Sequence, residues 1–249
     1  EPAVSYYIEL DGLRILFDTG YSDVFLKNAA ALGIGLSRLT HIVLSHGHND
    51  HTNGLSLLRQ QYDLSQVRLV AHPRCFAPRW ADGAYIGPPC TEEEAGAFCT
   101  CQPSAGPHFL SENCAFLGEI PALHGFESRV PIGWARAGGQ LVPDLLPDDS
   151  ALACKTAEGL FIVTGCSHSG ICNIISYARQ VLGEERVAGI VGGFHLFRRD
   201  DRLRQTAAFL REVSPRRLYP CHCVSLAAKV ELMRHLDVEE VGSGMLIEL

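Results

Sequence analysis

Apolar and polar residues alternate along VSYYIEL (4–10), and a second apolar strand pattern, LRILF (13–17), follows Asp11-Gly12. Alternation marks a half-buried strand, and Asp-Gly suits the left-handed backbone of a two-residue turn, so the chain is predicted to open with a β-hairpin. The spacing then lengthens to that of a helix in SDVFLKNAAAL (22–32), with Ser22 as a candidate cap. HIVLS (41–45) reads as a buried strand, GLSLLRQQY (54–62) as a helix and VRLVA (67–71) as a strand, which closes a β-α-β-α-β run.

Periodicity is lost from about Pro73 to Ser111, where Gly, Pro and Cys collect in GPPC (87–90) and CTC (99–101). A stretch this long reads either as a functional insertion or lid, or as disorder. Strand patterns return at CAFLG (114–118) and in ALACKTAEGLFIVTG (151–165), a predicted hairpin turning at Ala157-Glu158-Gly159. The last third alternates helix and strand through IISYARQVL (174–182), RVAGIVG (186–192), RLRQTAAFLREV (202–213), RRLYP (216–220) and SLAAKVELMRHL (225–236). Each half thus mixes sheet and helices, which predicts α/β layers with two sheets held between outer helical layers.

A length of 249 residues with 47% apolar content fits a globular chain of one large or two small domains, with enough material for a substantial core. The formal net charge of −7 gives no reason to expect broad attraction to nucleic acid or an anionic membrane. No apolar run approaches the roughly 18 residues of a membrane span, and the chain does not open on a charged-then-apolar leader pattern. The ten cysteines are even in number, but a chain of this length needs no disulfide staples, and several fall inside apolar strand or helix patterns. Reduced thiols in a cytoplasmic protein are expected.

The densest chemistry lies in LSHGHNDHTNG (44–54), where His46, His48, Asp50 and His51 fall within six residues. Imidazole and carboxylate are the ligands that borderline metals accept near neutral pH. These four also follow a buried strand and precede a helix. In extended chain His46 and His48 project to the same side, and Asp50 and His51 lie at the turn into the helix, so a metal site is predicted. Three more histidines each end an apolar strand: GLFIVTGCSH at His168, VAGIVGGFH at His195 and RRLYPCH at His222. Ligands of α/β proteins gather where strand carboxyl ends meet the loops, which makes these three the natural completing set. His41, His72, His108, His124 and His235 read as structural or exposed, and the Cys99-x-Cys101 and Cys221-x-Cys223 pairs lack the second matching pair of a soft-metal site.

The run SHGHNDH, preceded by LFDTG (16–20), resembles the His-x-His-x-Asp-His signature of the metallo-β-lactamase superfamily. More narrowly, FDTG, LSHGHNDHTNGL, TGCSHSGICNII, VGGFHL and PCHC resemble the branch of 7,8-dihydropterin-6-methyl-4-(β-D-ribofuranosyl)aminobenzene-5'-phosphate synthases, over nearly the whole chain. The resemblance implies a four-layer αββα sandwich, here one domain over 1–249 with an insertion or lid at about 73–111, and a two-metal site at one edge of the paired sheets. His46, His48 and His168 would hold one metal, Asp50, His51 and His222 the other, and Asp18 would orient the cluster, since ligating imidazoles need a partner for their second nitrogen. Two divalent ions are expected, zinc first, with manganese or iron as alternatives.

Two departures from the family pattern stand out. TGCSH offers Cys166 where many members place a bridging aspartate, and the residue reads as a buried thiol or as the bridge. Pro2 in EPAVS stands where branch members often have histidine. With six ligands assigned, His195 is left for substrate, and Asp50 is the expected catalytic carboxylate. Gly192 and Gly193 permit close backbone approach, and SHSG (167–170) opens a helix whose N–H groups suit an anion. The expected function is metal-dependent hydrolysis of a phosphorylated or other anionic small molecule through a metal-activated water. Alternatives are the branch's synthase-type transfer and a di-iron redox enzyme. No nucleic-acid or membrane partner is expected, and the sequence leaves the oligomeric state open.

Overall fold

Asp11 and Gly12 both take positive φ, 51° and 75°, as a type I′ hairpin turn requires. In the computed structural model, which describes residues 1–249, this turn joins β1 (Tyr6–Leu10) to β2 (Leu13–Phe17) in the expected antiparallel register. The chain continues through α1 (Val24–Ala31), β3 (His41–Val43), the short α2 (Asn49–Thr52), α3 (Gly54–Gln61) and β4 (Arg68–Ala71). The aperiodic stretch after β4 is built of short elements: β5 (Arg79–Ala81), β6 (Ala84–Tyr85), α4 (Glu92–Gly96), β7 (Thr100–Pro103) and β8 (His108–Ser111). Next come β9 (Cys114–Phe116), β10 (Trp134–Ala137), β11 (Gln140–Pro143), β12 (Ala151–Thr156), β13 (Gly159–Thr164) and α5 (Ile171–Leu182). β14 (Val187–Gly192), α6 (Asp201–Val213), β15 (Arg217–Pro220) and α7 (Leu226–Met233) complete the order.

The chain divides into two compact units, Glu1–Ala105 with Val130–Asp148 and Gly106–Arg129 with Asp149–Leu249. In the first, the sheet runs β1-β2-β3-β4-β7, parallel from β2 onward, beside a small antiparallel sheet β11-β10-β5-β6. Helices α1 and α3 bury Leu26, Ala29, Leu55 and Leu58 in one cluster with Leu16, Ile42 and Leu69 of the strands. In the second unit the sheet runs β15-β14-β13-β12-β9-β8, with β13, β14 and β15 parallel. Its core joins Ile162, Ile190 and Leu218 of the strands to Ile171, Ile174, Ile175 and Ala178 of α5 and to Leu203, Ala207 and Leu210 of α6. These spacings are the single apolar stripe that a helix lays on a sheet. No helix is long and apolar enough to cross a membrane, and all ten cysteines are free thiols.

Two local expectations change. Asp23, not Ser22, occupies the cap position of α1, and the Ser22 hydroxyl accepts the Val24 N–H at 3.3 Å instead. The β10–β11 hairpin went unread, although Gly138-Gly139, with φ of 56° and 82°, is the same kind of turn signal as Asp11-Gly12.

Candidate metal centre

In the first unit, the loops that leave β2 and β3 are laced together before any side chain is considered. The Asp18 N–H donates to the Val43 carbonyl at 2.8 Å and the Thr19 N–H to the His51 carbonyl at 2.8 Å. Asp18 takes positive φ, 57°, which turns its carboxylate into the buried turn after β3. There Oδ1 accepts the Ser45 N–H at 2.7 Å, and Oδ2 accepts the Ser45 hydroxyl at 2.8 Å and His51 Nδ1 at 2.7 Å.

This carboxylate fixes the protons of two imidazoles. A carboxylate only accepts, so Nδ1 of His51 carries the proton and its Nε2 keeps a lone pair. The Ser45 hydroxyl spends its proton on Asp18 and must accept from Nδ1 of His46, 2.9 Å away, which leaves Nε2 of His46 as a lone pair too. Nε2 of His46 lies 3.1 Å from Nδ1 of His48, and Nε2 of His51 lies 3.5 Å from Oδ2 of Asp50. Two nitrogens on one tetrahedral zinc stand about 3.4 Å apart at ordinary Zn–N lengths. The donor set and its spacing fit divalent metal, with His46 and His48 as one pair and Asp50 and His51 as another.

The turn has further buried support that the sequence reading missed. The Gly47 N–H, between the two histidines, donates to Asp148 Oδ2 at 2.8 Å, and Arg79 Nη2 pairs with that oxygen at 3.1 Å. A β-carbon at Gly47 would collide with the Cys75 carbonyl oxygen, so this position tolerates only glycine. Burial first, and then the Arg79 charge, lower the pKa of His48 to about 3, which keeps the ring neutral and available as a ligand at pH 7. The one sequence hint of this support is DLLPDDS (144–150), three acids ahead of a buried strand; nothing local marks Arg79.

In the second unit the candidate residues come from three neighbouring parallel strands. Backbone bonds tie the loops after β13, β14 and β15: Gly193 N–H to Gly165 O at 2.9 Å, Cys221 N–H to Gly192 O at 2.9 Å and Leu196 N–H to Cys223 O at 3.2 Å. Ser167, His195 and His222 all take positive φ, at 58°, 50° and 55°. Left-handed non-glycine residues are costly and concentrate at functional sites. Together these loops bring Cys166 Sγ within 4.8 Å of a ring nitrogen of His168 and of one of His222. The rings of His168 and His195 meet at a tilt of 55°, with centroids 4.5 Å apart. Burial, then the charges of Arg202 and His222, lower the pKa of His195 to about 4.

Two sequence expectations here are corrected. The helix opened by SHSG has its own anion: Glu127 accepts the Cys172 N–H at 3.0 Å and the Asn173 N–H at 2.8 Å, and Asp149 accepts the Ser169 N–H at 2.9 Å. That helix start is therefore closed to a phosphate. Gly192 and Gly193 do allow a close approach, but by the protein itself, since β-carbons there would collide with the Thr164 carbonyl and the Cys223 sulfur. The histidines set aside as structural behave so where contacts are defined: His72 accepts the Arg74 N–H at 3.1 Å, and His124 bonds Ser176 at 2.8 Å. The Cys99 and Cys101 thiols donate to the Ala95 and Glu92 carbonyls, at 3.2 and 3.8 Å, and pack with the first core.

A family model described as the metallo-beta-lactamase superfamily matches residues 1–101. A Methanocaldococcus jannaschii protein named 7,8-dihydropterin-6-methyl-4-(beta-D-ribofuranosyl)-aminobenzene-5'-phosphate synthase is 30% identical, over 97% of this chain and 87% of its own length. Among solved structures, Tm1679, described as a metal-dependent hydrolase of the beta-lactamase superfamily, is 31% identical with a TM-score of 0.82, covering 94% of this chain and 88% of that one. A diphosphatase from the PhnP family shares the fold at 16% identity, with a TM-score of 0.52 over 98% of this chain and 83% of that one.

Proposed function

Because the chain belongs to the metallo-β-lactamase superfamily and has its fold, we propose that it is a metal-dependent hydrolase acting on a phosphorylated or otherwise anionic small molecule. The observation that carries this reading is the turn at 46–51, where one buried carboxylate, Asp18, sets the tautomers of both His46 and His51. Three buried histidines beside a half-buried carboxylate, with two ring protons fixed, are what a metal-binding turn needs. In this reading His46, His48 and His168 hold one divalent ion and Asp50, His51 and His222 the other, zinc first and manganese or iron as alternatives. In the same reading Cys166 is a buried thiol or the bridge between the ions. The ten free cysteines support a reducing, cytoplasmic setting.

Divalent ions in such a site supply Lewis acidity and make a water acidic enough to act as a nucleophile near neutral pH. The protein's own residues do the rest. Asp50, with a side chain 28% exposed, shares one oxygen with the ligand set and offers the other to the proton of the attacking water. His195, neutral at pH 7, offers a hydrogen bond to substrate without adding a charge.

A second reading, synthase-type transfer, is favoured by the relative that carries that name. Elemental analysis of protein purified without added metal, followed by a phosphoester panel, separates the two. Hydrolysis predicts about two metals per chain and release of inorganic phosphate or alcohol, with turnover falling roughly a hundredfold or more in Asp50→Asn. Wild-type turnover in that variant at unchanged metal content would remove Asp50 from the chemistry. A product that joins two substrates would replace hydrolysis by transfer.

A further inference from the structure

With the start of α5 closed by Glu127, an anionic substrate needs another cation, and the loop that follows His195 and the first turn of α6 together supply three. HLFRRDDR (195–202) carries Arg198, Arg199 and Arg202 in a chain of net charge −7. Its two acids are already engaged: Asp200 caps α6 through the Leu203 N–H at 3.0 Å, and Asp201 pairs with Arg204. Arg198 and Arg199 are exposed. Arg202 is half-buried, and its Nε and Nη2 lie out of solvent with no hydrogen-bond partner in the protein. A buried donor left without a partner is costly, more so when it carries charge.

The loop also has an aromatic element. Phe197 is 53% exposed, an unusual position for a large ring, and its edge meets the His195 ring at a centroid distance of 4.9 Å and 84°. The His195 ring in turn contacts that of His168 at a tilt, with centroids 4.5 Å apart. A row of rings thus leads from a proposed metal ligand to the arginines.

Taking the anionic-substrate reading above as premise, we infer that Arg198, Arg199 and Arg202 form the subsite that binds the substrate's phosphoryl group, with Phe197 packing against the part of the substrate that carries it. Guanidinium suits the task because its planar fork matches two phosphate oxygens at once. Arg202 also acts electrostatically on the buried Glu127, so a loss on its removal could come from the helix start alone. The exposed pair Arg198 and Arg199 has no such second role.

The test is calorimetric binding of phenyl phosphate, inorganic phosphate and uncharged phenol to the metal-loaded protein. R198A/R199A should weaken phenyl phosphate about tenfold or more, leave phenol unchanged, and remove most of the salt dependence. R202A should weaken both anions, while R204A, whose partner is Asp201, should match wild type. F197A should weaken phenyl phosphate but not inorganic phosphate. Equal anion affinity in wild type and R198A/R199A, or no anion binding by the wild type, overturns the subsite. Phosphoester hydrolysis at wild-type KM in R198A/R199A would remove the subsite and leave the hydrolase reading. Arginine-dependent binding in a protein that hydrolyses no phosphoester would do the reverse.

Discussion

The turn at 46–51 and the strand-end loops around Cys166, His195 and His222 offer the same ligand chemistry but are built in opposite ways. In the first unit four candidate ligands sit on one short segment, and tertiary contacts serve only to hold it. Asp18 fixes its ring protons and Asp148 its backbone. In the second unit each residue arrives on a different strand, and loop-to-loop backbone bonds supply the precision. A contiguous motif can be oriented by a single carboxylate. A dispersed set needs the whole parallel sheet, with strained left-handed backbone at Ser167, His195 and His222 as its cost.

The largest effect that sharpens this contrast is a pair of buried aspartates. Asp18 serves three donors, one of them an imidazole, whereas Asp149 serves no ring nitrogen: it accepts the N–H and hydroxyl of Ser169, at 2.9 and 2.5 Å, and the backbone N–H of His168, and burial raises its pKa. Asp18→Ala leaves three buried donors without their acceptor and should cost about 3 kcal/mol or more of stability, and lower metal affinity. Asp149→Ala should cost about 1–3 kcal/mol. Urea unfolding of the two variants checks this, and equal losses would break the contrast.

Metal content gives the next effect. His222→Ala should lose bound metal while keeping its fold, and His195→Ala should keep the wild-type stoichiometry but weaken an anionic substrate. Metal loss in His195→Ala equal to that in His222→Ala would make His195 a ligand and enlarge the dispersed set.

The pH dependence is smaller and has a definite sign. In metal-free protein His195 should stay neutral until pH nears 4, against 6.5 for the unfolded chain. Between those values the unfolded state binds a proton that the folded state refuses, so stability falls as pH falls from about 6.5 toward 4. Relative to His195→Gln, the wild type should therefore lose stability across that window and nowhere above it. An NMR titration of the His195 ring with a midpoint near 6.5 would contradict this.

The smallest effect lies outside both regions. Gly12→Ala meets no neighbouring atom but must adopt a φ of 75°, which costs about 1 kcal/mol. Thermal melting should show that loss with metal content unchanged.

Much of the fold was legible because it is local. The opening hairpin is written in Asp11-Gly12, the helices in apolar stripes such as Ile171, Ile174, Ile175 and Ala178, and the ligand turn in six consecutive residues. The same locality placed His168, His195 and His222 at strand ends. The short strands between 73 and 111 were opaque because a strand of two to four residues has too few positions to show a period.

What only the tertiary structure decided are the contacts that span long stretches of chain. Asp18 reaches His51 across 33 residues, Asp148 reaches Gly47 across 101, and Glu127 reaches Cys172 across 45. No local pattern encodes where a chain returns. The sequence could therefore name the candidate ligands and, by resemblance, Asp18 as the residue that orients them, but not the aspartate that holds the Gly47 N–H or the glutamate that closes the helix start to phosphate. Those depend on which buried donors lie near which acceptors once the core has formed, because only there does an unpaired polar group cost enough to fix its partner.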